Sequence, residues 1–377
     1  MDLAARIRRR QRSSSGAPLV VNEDALSPVA HLDEPVGRGP LVERLLDHLA
    51  PALDGRLPEN AVLSGPPGSG KSAVVTALVA ELDRLVTGSA SAIYTTTRAQ
   101  APSAPAFVYV DARHARSEFG LVHAVLDSLL ADSVPADGVG TATLRDRLRE
   151  RVATDQAVVA VDHVGEPGGP DLDAVAAALD VPGVAWLAVG REGDETLAEI
   201  EVQPYDRAGL LDLLTERVSQ GVGDGATHDQ LARVADWADG DAHDALAAWF
   251  AAADRARAAG ASRITDATLD QGMADVPRPG VPLGRVLTLP PRRLAVLRGL
   301  VALDEANRES VSIASVAIAD RVALSASTVE RFLYELAEDG IIERVPGTRT
   351  EGAGRPPSRL TPRFSTRVFR AFAGQED

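Results

Sequence analysis

The chain contains 377 residues, of which 45% are hydrophobic, and it carries a formal net charge of −15 and no cysteine. This length predicts two or three domains with substantial cores, and the absence of cysteine excludes a disulfide framework, thiol catalysis and cysteine-ligated zinc. No apolar run is long enough to cross a membrane, and the arginine-rich start continues into serines rather than an apolar segment. We therefore predict a cytoplasmic protein with no secretory signal and no membrane partner.

The acidic composition is combined with a single lysine, Lys71, so that arginine supplies the rest of the Lys+Arg count. This combination is typical of extreme halophiles, whose acidic surfaces keep water and cations bound, and we predict such a source. The alternative is an ordinary acidic bacterial protein with arginine-rich codon usage. Net charge bears on solubility and not on fold, and it requires any DNA-binding face to be a local basic patch.

Basic residues are concentrated at the two ends of the chain. Residues 1–12 contain five arginines and residues 342–370 contain seven, whereas the middle is acidic. Such asymmetry is a cue for contact with nucleic acid, and the alternative is a pair of solvated, flexible arms. We interpret residues 1–30 as a basic, flexible N-terminal arm.

Residues 31–203 alternate apolar runs typical of buried strands with segments of helical periodicity. The predicted strands are 61–64, 107–111, 157–162 and 184–189, and the predicted helices are 41–53, 72–85 and 119–130. Strands that alternate with helices predict an α/β domain with a parallel, doubly wound sheet. The small, polar segment 87–105 is predicted to be an exposed insertion.

The most specific motif is a phosphate-binding loop between the first strand and the helix that follows it. Its residues are Gly65, Pro66, Pro67, Gly68, Ser69, Gly70, Lys71 and Ser72. In such a loop backbone N–H groups surround the phosphates, the lysine reaches the β- and γ-phosphates, and the serine hydroxyl binds Mg²⁺. A helix that begins directly after the loop adds the favourable end of its dipole. We predict ATP or ADP with Mg²⁺ as ligands; the alternative is a chance Gly/Pro turn.

A carboxylate, Asp162, ends the third predicted strand, where a P-loop NTPase holds its metal ion. We predict that Asp162 and Ser72 bind Mg²⁺; the alternative is an aspartate that only initiates a turn. The next position normally supplies a glutamate that polarises the attacking water, but here it is His163, and Glu166 follows three residues later. We assign Asp162, His163 and Glu166 to the catalytic site and predict weak hydrolysis.

After the α/β domain the pattern becomes helical. Residues 204–276 are predicted to form an all-α lid, with helices over 207–219, 228–238, 241–259 and 265–273. Residues 283–372 are predicted to form a winged helix domain, with helices over 290–303, 313–322 and 325–339, a strand over 341–345 and a wing over 347–358. Two helices, a recognition helix and a wing are the parts of a winged helix-turn-helix.

Two groups of side chains in this last domain are predicted to contact double-stranded DNA. They are Ser327, Thr328 and Arg331 on the recognition helix, and Arg349, Arg355 and Arg359 on the wing. The helix would enter the major groove, and the wing arginines would reach phosphates or the minor groove. The alternative is a winged helix that docks on protein, and the arginine-rich wing favours DNA.

Four ordered segments resemble the archaeal origin-recognition initiators, AAA+ ATPases related to the eukaryotic origin recognition complex and its Cdc-type loader partner. They are Pro35-Val36-Gly37-Arg38, the phosphate loop after Pro58-Glu59-Asn60, Pro204-Tyr205 followed by Leu213-Leu214 and Arg217-Val218, and Gly240 to Leu246. The resemblance implies a P-loop AAA+ parallel sheet core with an all-α lid and a C-terminal winged helix domain. It implies ATP and double-stranded DNA as partners.

The same resemblance implies a set of nucleotide contacts outside the loop, made by Val36, Gly37, Arg38, Tyr205, Arg217 and His243. Tyr205 has the alternative of an ordinary core tyrosine, and Arg217 that of a solvated helix face. His243 occupies the position of the family's sensor-2 arginine and is a weaker, pH-dependent partner for a γ-phosphate. Gly190 lies near the sensor-1 position, and Arg191 is a candidate finger toward a neighbouring molecule.

These departures indicate a divergent member that binds ATP and hydrolyses it slowly or not at all. The first functional hypothesis is an origin-binding initiator in which ATP acts as a conformational switch, with self-association or pairing with a paralogue on DNA. The second is a degenerate winged-helix DNA-binding regulator, or a mobile-element factor, in which ATP is structural. A small-molecule P-loop kinase is disfavoured because nothing resembles an acceptor site and a DNA-binding domain is attached.

Overall fold

The computed structural model of the chain describes residues 18–92, 104–346 and 358–374. These residues divide into two compact units. The α/β unit comprises His31–Leu213 and Asp239–Ala242, and the helical unit comprises the rest of the described chain, beginning with the short helix α1 (Glu23–Leu26). Within the described ranges no helix has the length and apolar character needed to cross a membrane.

The α/β unit is built on a five-stranded parallel sheet. Its elements in chain order are α2 (Gly39–Leu53), β1 (Ala61–Ser64), α3 (Lys71–Ala92), β2 (Ala106–Asp111), α4 (Glu118–Leu129), α5 (Thr141–Thr154), β3 (Ala157–Val164), α6 (Leu172–Ala178), β4 (Val184–Gly190) and β5 (Ala198–Glu201). The strand order is β2-β3-β4-β1-β5. The carboxyl ends of β1 and β3 therefore share one edge of the sheet, where open α/β sheets bind their ligands.

Successive residues of β3 pack on opposite faces of the sheet. Val159 and Val161 lie in one core with the apolar sides of α4, α5 and α6, whereas Val158 and Ala160 lie in another core with those of α2 and α3. This alternation follows from the two-residue period of a strand, and a sheet covered on both faces needs an apolar residue at nearly every position. The predicted doubly wound α/β fold is confirmed.

The helical unit contains the lid helices and the winged-helix elements. The elements that follow the sheet are α7 (Arg207–Val222), α8 (His228–Ala238), α9 (Ala242–Ala258), α10 (Asp266–Ala274), α11 (Leu283–Leu287), α12 (Pro291–Ala302), α13 (Val311–Ala319), α14 (Ala326–Glu338), β6 (Ile342–Pro346), β7 (Ser358–Pro362) and α15 (Thr366–Ala373). Helices α12 to α14 precede an antiparallel pair of β6 and β7. This order is that of a winged helix-turn-helix.

The recognition helix α14 begins and ends as its sequence predicts. The hydroxyl of Ser325 accepts a hydrogen bond from the backbone N–H of Thr328 at 3.3 Å and so caps the first turn. Gly340 has a φ of +70° just past the last turn, a conformation that favours glycine after a helix. The apolar face formed by Val329, Phe332, Leu333 and Leu336 is buried.

Two predicted boundaries differ from the structure. The ranges 204–276 and 283–372 do not form separate compact units, because side chains of α9 and α15 contact each other. Arg367 of α15 pairs with Asp254 of α9 at 2.5 Å, and the rings of Phe250 and Phe372 lie 5.0 Å apart. In the N-terminal arm predicted for 1–30, residues 18–30 carry helix α1 and bury Leu19, Ala25 and Leu26, so this part is a packed segment.

Several elements were not predicted. They are helices α1, α5, α6, α11 and α15 and strands β5 and β7. The helix after the phosphate loop was expected to end near residue 85, but α3 continues to Ala92 and into the start of the predicted insertion. The rest of that insertion up to residue 103, and the wing residues 347–357 with Arg349 and Arg355, lie outside the described ranges.

Candidate functional site

The phosphate loop leaves β1 and enters α3 through three glycines with positive φ. The φ angles are +148° at Gly65, +70° at Gly68 and +82° at Gly70. A side chain at these positions has no room as well as a disfavoured backbone. A Cβ at Gly65 would collide with the carbonyl oxygen of Val202, and one at Gly70 would lie 2.8 Å from the hydroxyl oxygen of Tyr205. The backbone of this loop can therefore approach a ligand closely.

Lys71 is the charged centre of the loop. Its Nζ donates hydrogen bonds to the carbonyl oxygens of Gly65 and Pro66, both at 2.7 Å, and to the hydroxyl of Ser69 at 3.3 Å. Burial lowers the pKa of Lys71 to about 8, the charge of Asp162 opposes this change, and the charges of Arg191 and Arg38 reinforce it. The negative charge of a bound polyphosphate would raise the pKa of Lys71 and so favour the protonated form of the side chain.

Asp162 lies near the carboxyl end of β3 and is 1% exposed. Its Oδ2 accepts a hydrogen bond from the hydroxyl of Tyr109 at 2.9 Å, and its Oδ1 accepts one from the backbone N–H of His163 at 2.7 Å. Because the charge of Asp162 acts on Lys71, the carboxylate and the loop form one site. Burial and the neighbouring charge of Asp162 raise the pKa of Tyr109, so its hydroxyl remains a donor to Asp162.

His163 links the two carboxylates assigned to catalysis. Its Nδ1 lies 3.1 Å from Oε1 of Glu166, and its Nε2 lies 3.5 Å from Oδ2 of Asp162. Burial lowers the pKa of His163, but the hydrogen bond to Glu166 and the charge of Asp162 outweigh burial, so the net pKa is raised. The residue has a φ of +65°, which costs a residue other than glycine about 1–2 kcal/mol.

An ion pair that was not predicted borders this group. Arg113 binds Asp111 through Nε at 3.0 Å and Nη2 at 2.7 Å, and Asp111 is the last residue of β2. Burial raises the pKa of Asp111, but hydrogen bonds from Arg113 outweigh it and the net pKa is lowered. The charge of Arg113 also acts on His163. The position of Asp111 at the end of a predicted strand could have indicated this ion pair. Residues at the carboxyl ends of neighbouring parallel strands meet at one edge of the sheet.

The predicted adenine-box residues lie together beside the loop. The guanidinium of Arg38 stacks 3.6 Å from the centre of the Tyr205 ring and donates a hydrogen bond to the carbonyl oxygen of Gln203 at 3.0 Å. The Tyr205 hydroxyl donates to the carbonyl oxygen of Val36 at 3.3 Å. A Cβ at Gly37, whose φ is +72°, would lie 3.3 Å from the same ring. Val36, Gly37, Arg38 and Tyr205 thus form a cluster that Tyr205 connects to Gly70.

Two further residues lie beside the loop in positions that the sequence did not indicate. The backbone N–H of Ala242 donates to the carbonyl oxygen of Gly68 at 3.1 Å, and the carboxylate of Asp241 fills the space next to the Cα of Gly68. Arg191, the candidate finger toward a neighbour, lies beside its own loop, since its carbonyl oxygen accepts a hydrogen bond from the N–H of Gly65 at 3.3 Å. The charge of Arg191 also lowers the pKa of Lys71 in the same chain, and its role as a finger toward a neighbour remains a prediction.

Arg217 and His243 have partners other than those the resemblance implies. Arg217 is 5% exposed, and its guanidinium donates to the carbonyl oxygens of Asp24, Ala25, Ser27 and Ala30 at 2.6–3.3 Å. It therefore holds the segment that was predicted to be a flexible arm. The Nε2 of His243 accepts a hydrogen bond from the backbone N–H of Leu283 at 2.9 Å. Nucleotide contacts by these two residues remain predictions.

The loop and its neighbours fit a magnesium nucleotide by the chemistry of their groups. Glycines with positive φ leave the loop backbone accessible, and Lys71 carries a proton that burial disfavours until an anion is present. Ser72 and Asp162 offer the oxygen ligands that Mg²⁺ prefers. With ATP bound, Mg²⁺ would neutralise charge on the phosphates.

On α14 the predicted DNA contacts divide into cap residues and an exposed arginine. The hydroxyls of Ser327 and Thr328 lie 3.0 and 2.9 Å from the hydroxyl of Ser325, in the cap of the helix. Arg331 is exposed and pairs with Glu335 at 2.9 Å. On β7, Arg359 pairs with Glu305 at 2.9 Å. Both arginines must exchange these ion pairs to contact a phosphate or a base.

Comparison with known proteins agrees with this architecture. The AAA ATPase domain family matches residues 34–189. The chain is similar to ORC1-type DNA replication protein 1 of Sulfurisphaera tokodaii, with 24% identity over 322 residues that cover 78% of this chain and 77% of that protein.

Two solved structures share the fold. One is the Aeropyrum pernix ORC1 protein in complex with DNA, with a TM-score of 0.59, 22% identity and coverage of 94% of this chain and 96% of that one. The other is the Aeropyrum pernix ORC2 protein in ADPNP-ADP complexes, with a TM-score of 0.54, 15% identity and coverage of 94% and 98%.

A parallel sheet whose first strand leads into a phosphate loop and whose third strand carries a buried carboxylate defines a P-loop protein of the AAA ATPase class. Over most of its length the chain is also similar to an ORC1-type DNA replication protein, and it shares the fold of the ORC1 structure.

Proposed function

We propose that this chain binds ATP and double-stranded DNA and acts as a replication initiator of the archaeal origin-recognition type. The observation that carries the proposal is a glycine loop that a phosphate can approach, with Lys71 bound to its carbonyl groups and the buried Asp162 near the carboxyl end of a strand in the same parallel sheet. The related protein of Sulfurisphaera tokodaii is named for DNA replication, and a structural neighbour was solved with DNA. ADP and ADPNP complexes of a second neighbour support the nucleotide.

We infer that hydrolysis is weak, because the group that would act on water is already engaged. Glu166 is the carboxylate that the sequence suggests for polarising a water molecule, and His163 holds one of its oxygens at 3.1 Å. The raised pKa of His163 favours its protonated form, in which the ring strengthens its contact with Glu166. ATP would then persist long enough to act as a conformational switch.

A second candidate function is a DNA-binding regulator or mobile-element factor in which ATP is structural. The partners of His243 favour it: its Nε2 accepts from Leu283, and its Nδ1 lies 3.3 Å from Asp244. Both ring nitrogens thus have partners within the protein. A switch that senses the γ-phosphate through His243 would need one of these nitrogens to be available. The two candidates differ in nucleotide exchange, since a switch must release its nucleotide and a structural ligand need not.

One experiment on the full chain tests both candidates. The protein is loaded with a fluorescent ATP analogue in high salt and chased with unlabelled ATP, and its affinity for a labelled duplex is measured with ATP, with ADP and without nucleotide. An initiator should exchange nucleotide and bind duplex with an affinity that depends on the nucleotide. Bound analogue that does not exchange, with the same duplex affinity in all three states, favours the structural role. Failure to bind any duplex contradicts both candidates.

The same measurement addresses assembly on DNA. We propose that the chain self-associates, or pairs with a paralogue, when bound to duplex. Arg191, whose backbone lies beside the loop, is the candidate finger in such an assembly. Sedimentation of the protein–duplex complex gives the number of chains bound, and one chain per duplex at saturation would contradict self-association.

A further inference from the structure

Four arginines of the helical unit converge on the carboxyl end of α12, and we call Arg308, Arg321, Arg359 and Arg370 the arginine patch. The Nη2 atoms of Arg308 and Arg370 both donate to the carbonyl oxygen of Val301, at 2.9 and 2.7 Å. Two guanidinium groups that share one acceptor atom lie side by side. Arg321 donates to the next carbonyl oxygen, that of Ala302, at 3.3 Å.

The end of α12 explains how these side chains are held. The last carbonyl groups of a helix lack partners within the helix and carry a partial negative charge, so they attract cations. One or two arginines would cap the helix, and further cations at the same place repel each other. Capping alone therefore does not account for the crowding of the patch.

The charge of the patch is not balanced by its neighbours. Burial lowers the pKa of Arg308, the charges of Arg370 and Arg359 lower it further, and Glu305 and Asp304 oppose the change without cancelling it. Glu305 pairs with Arg359 at 2.9 Å, but its side chain is 84% exposed, and such surface pairs contribute little. In addition, the Nε of Arg308 is buried without a hydrogen-bond partner in the described structure.

We propose that the arginine patch binds backbone phosphates of the duplex DNA held by the winged helix. The inference rests on the proposed function and extends it to residues outside the recognition helix and the wing. Arg359 lies on β7 of the wing hairpin, so the patch adjoins the predicted DNA-contacting surface, and Arg321, Arg359 and Arg370 are exposed. Arginines present planar sets of N–H donors that match phosphate oxygens, and they supply most of the sequence-independent affinity for DNA.

The test compares single charge removals in the full chain. The variants are Arg370→Gln and Arg321→Gln, and the matched control is Arg147→Gln, which removes the same charge from an exposed position on α5 of the α/β unit. The affinity for two labelled duplexes of unrelated sequence is measured by fluorescence anisotropy over a range of salt concentrations. Each patch variant should bind both duplexes about three- to tenfold more weakly and lower the salt slope by about 0.9, as expected for one lost phosphate contact. The control should match the wild type.

Thermal unfolding of the same variants separates this role from simple capping. Arg321 makes one long hydrogen bond to the helix end, so Arg321→Gln should retain the wild-type fold and melting temperature. If the wild type binds duplex and neither patch variant changes the salt slope, the patch only caps α12 and the inference is wrong. If the wild type binds no duplex, the proposed function itself fails and the inference fails with it. If Arg370→Gln and Arg321→Gln abolish binding of inorganic phosphate but leave duplex affinity unchanged, the patch is a free-phosphate site and the inference is wrong.

Discussion

The nucleotide site and the winged-helix surface of this chain hold their charges in different ways. In the α/β unit, Asp162 is 1% exposed and the side chains of His163 and Glu166 are already bound to each other. On the winged helix, Arg331 and Arg359 are exposed and each pairs with a glutamate. The first region is preorganised for a ligand, whereas the second must give up ion pairs before it can bind one.

The two regions should respond differently to salt. At 1 M salt the Debye length is about 3 Å, so long-range attraction between exposed charges is nearly absent. Buried groups such as Lys71 and Asp162 are screened much less. The nucleotide site should therefore be insensitive to salt, and DNA binding at high salt should depend on direct contacts.

Removal of the Lys71 ammonium should have the largest effect. Lys71→Ala deletes the charge that faces the β- and γ-phosphates, and charge-assisted hydrogen bonds of this kind contribute about 1.5–3 kcal/mol each. We expect ATP affinity to fall on the order of 100-fold while the fold survives, as measured with a fluorescent ATP analogue in low and high salt. The loss should be the same at both salt concentrations. Equal affinity of variant and wild type would rule out the site.

The lowered pKa of Lys71 predicts a pH dependence of ATP binding. Below about pH 8 the free protein carries a protonated Lys71, and above it the neutral amine must take up a proton to bind phosphate as an ammonium. ATP affinity should therefore be constant up to about pH 8 and then fall by about tenfold per pH unit, because binding favours the protonated form. The same shift has a stability consequence. The unfolded chain, with its ordinary lysine pKa, binds more protons above pH 8, so the free energy of unfolding contributed by Lys71 rises from pH 8 to 10.5.

Calorimetry in two buffers of different ionisation enthalpy measures the proton uptake directly. We expect uptake of close to one proton per ATP at pH 9 and almost none at pH 7. The triphosphate itself is fully ionised in this range, since the second pKa of a phosphate is about 6. Circular dichroism over the same pH range controls for unfolding. Affinity that stays constant from pH 7 to pH 10 would contradict the lowered pKa.

Restoring a glutamate after Asp162 should increase hydrolysis. His163→Glu removes the cation that holds Glu166 and supplies a carboxylate to polarise water, and a general base contributes typically 100-fold or more. The backbone φ of +65° disfavours a glutamate as well, so we expect a smaller gain, on the order of tenfold, in the single-turnover rate. His163→Gln, which removes the cation without adding a base, is the control. A wild type that already hydrolyses rapidly, with no gain in the variant, would show that Glu166 is active as it stands.

The sequence predicts the parts of this molecule whose residue types have a single strong explanation. The phosphate loop, the buried strands β1 to β4 and the apolar face of α14 follow from glycine spacing, continuous apolar runs and helical periodicity. The edge strand β5 (Ala-Glu-Ile-Glu) is short and half polar, so its pattern does not stand out from a loop. Helix α5 has few apolar residues to mark its buried side, which is formed by Leu144, Leu148 and Val152.

The limits of prediction at the site have a similar physical cause. Asp162 could be placed because it ends a continuous apolar run typical of a buried strand, whereas Tyr109 and the Asp111–Arg113 pair lie beside it only through strand pairing. The sequence around Arg217 resembles a segment that contains a nucleotide-binding arginine. A buried guanidinium, however, donates hydrogen bonds to the acceptors that surround it. Here those acceptors are backbone carbonyls of the segment 24–30. A residue type alone does not identify its partner.

On the winged helix, loss of Arg331 should affect one base position. Arg331→Ala removes a side chain predicted to pair with guanine, a contact worth about 1–3 kcal/mol. Because Arg331 must first break its ion pair with Glu335, we expect a loss at the lower end of this range, about 1 kcal/mol. The loss is measured by competition between the preferred duplex and duplexes that differ from it at one base pair. Glu335→Gln frees the arginine without removing it and should tighten binding slightly. Equal losses for every duplex would show that Arg331 contacts phosphate and not a base.

The smallest expected effect is on the wing. Arg359→Ala removes one phosphate contact, so it should weaken all duplexes alike by about threefold and lower the slope of log affinity against log salt by about 0.9. Glu305→Gln is the matched control, because it breaks the ion pair of 2.9 Å and leaves the arginine in place. If Arg359 contacts DNA, these two variants should move the affinity in opposite directions, whereas a purely structural ion pair would make them move together. The same direction of change is expected for Arg355→Ala, although that residue lies outside the described ranges.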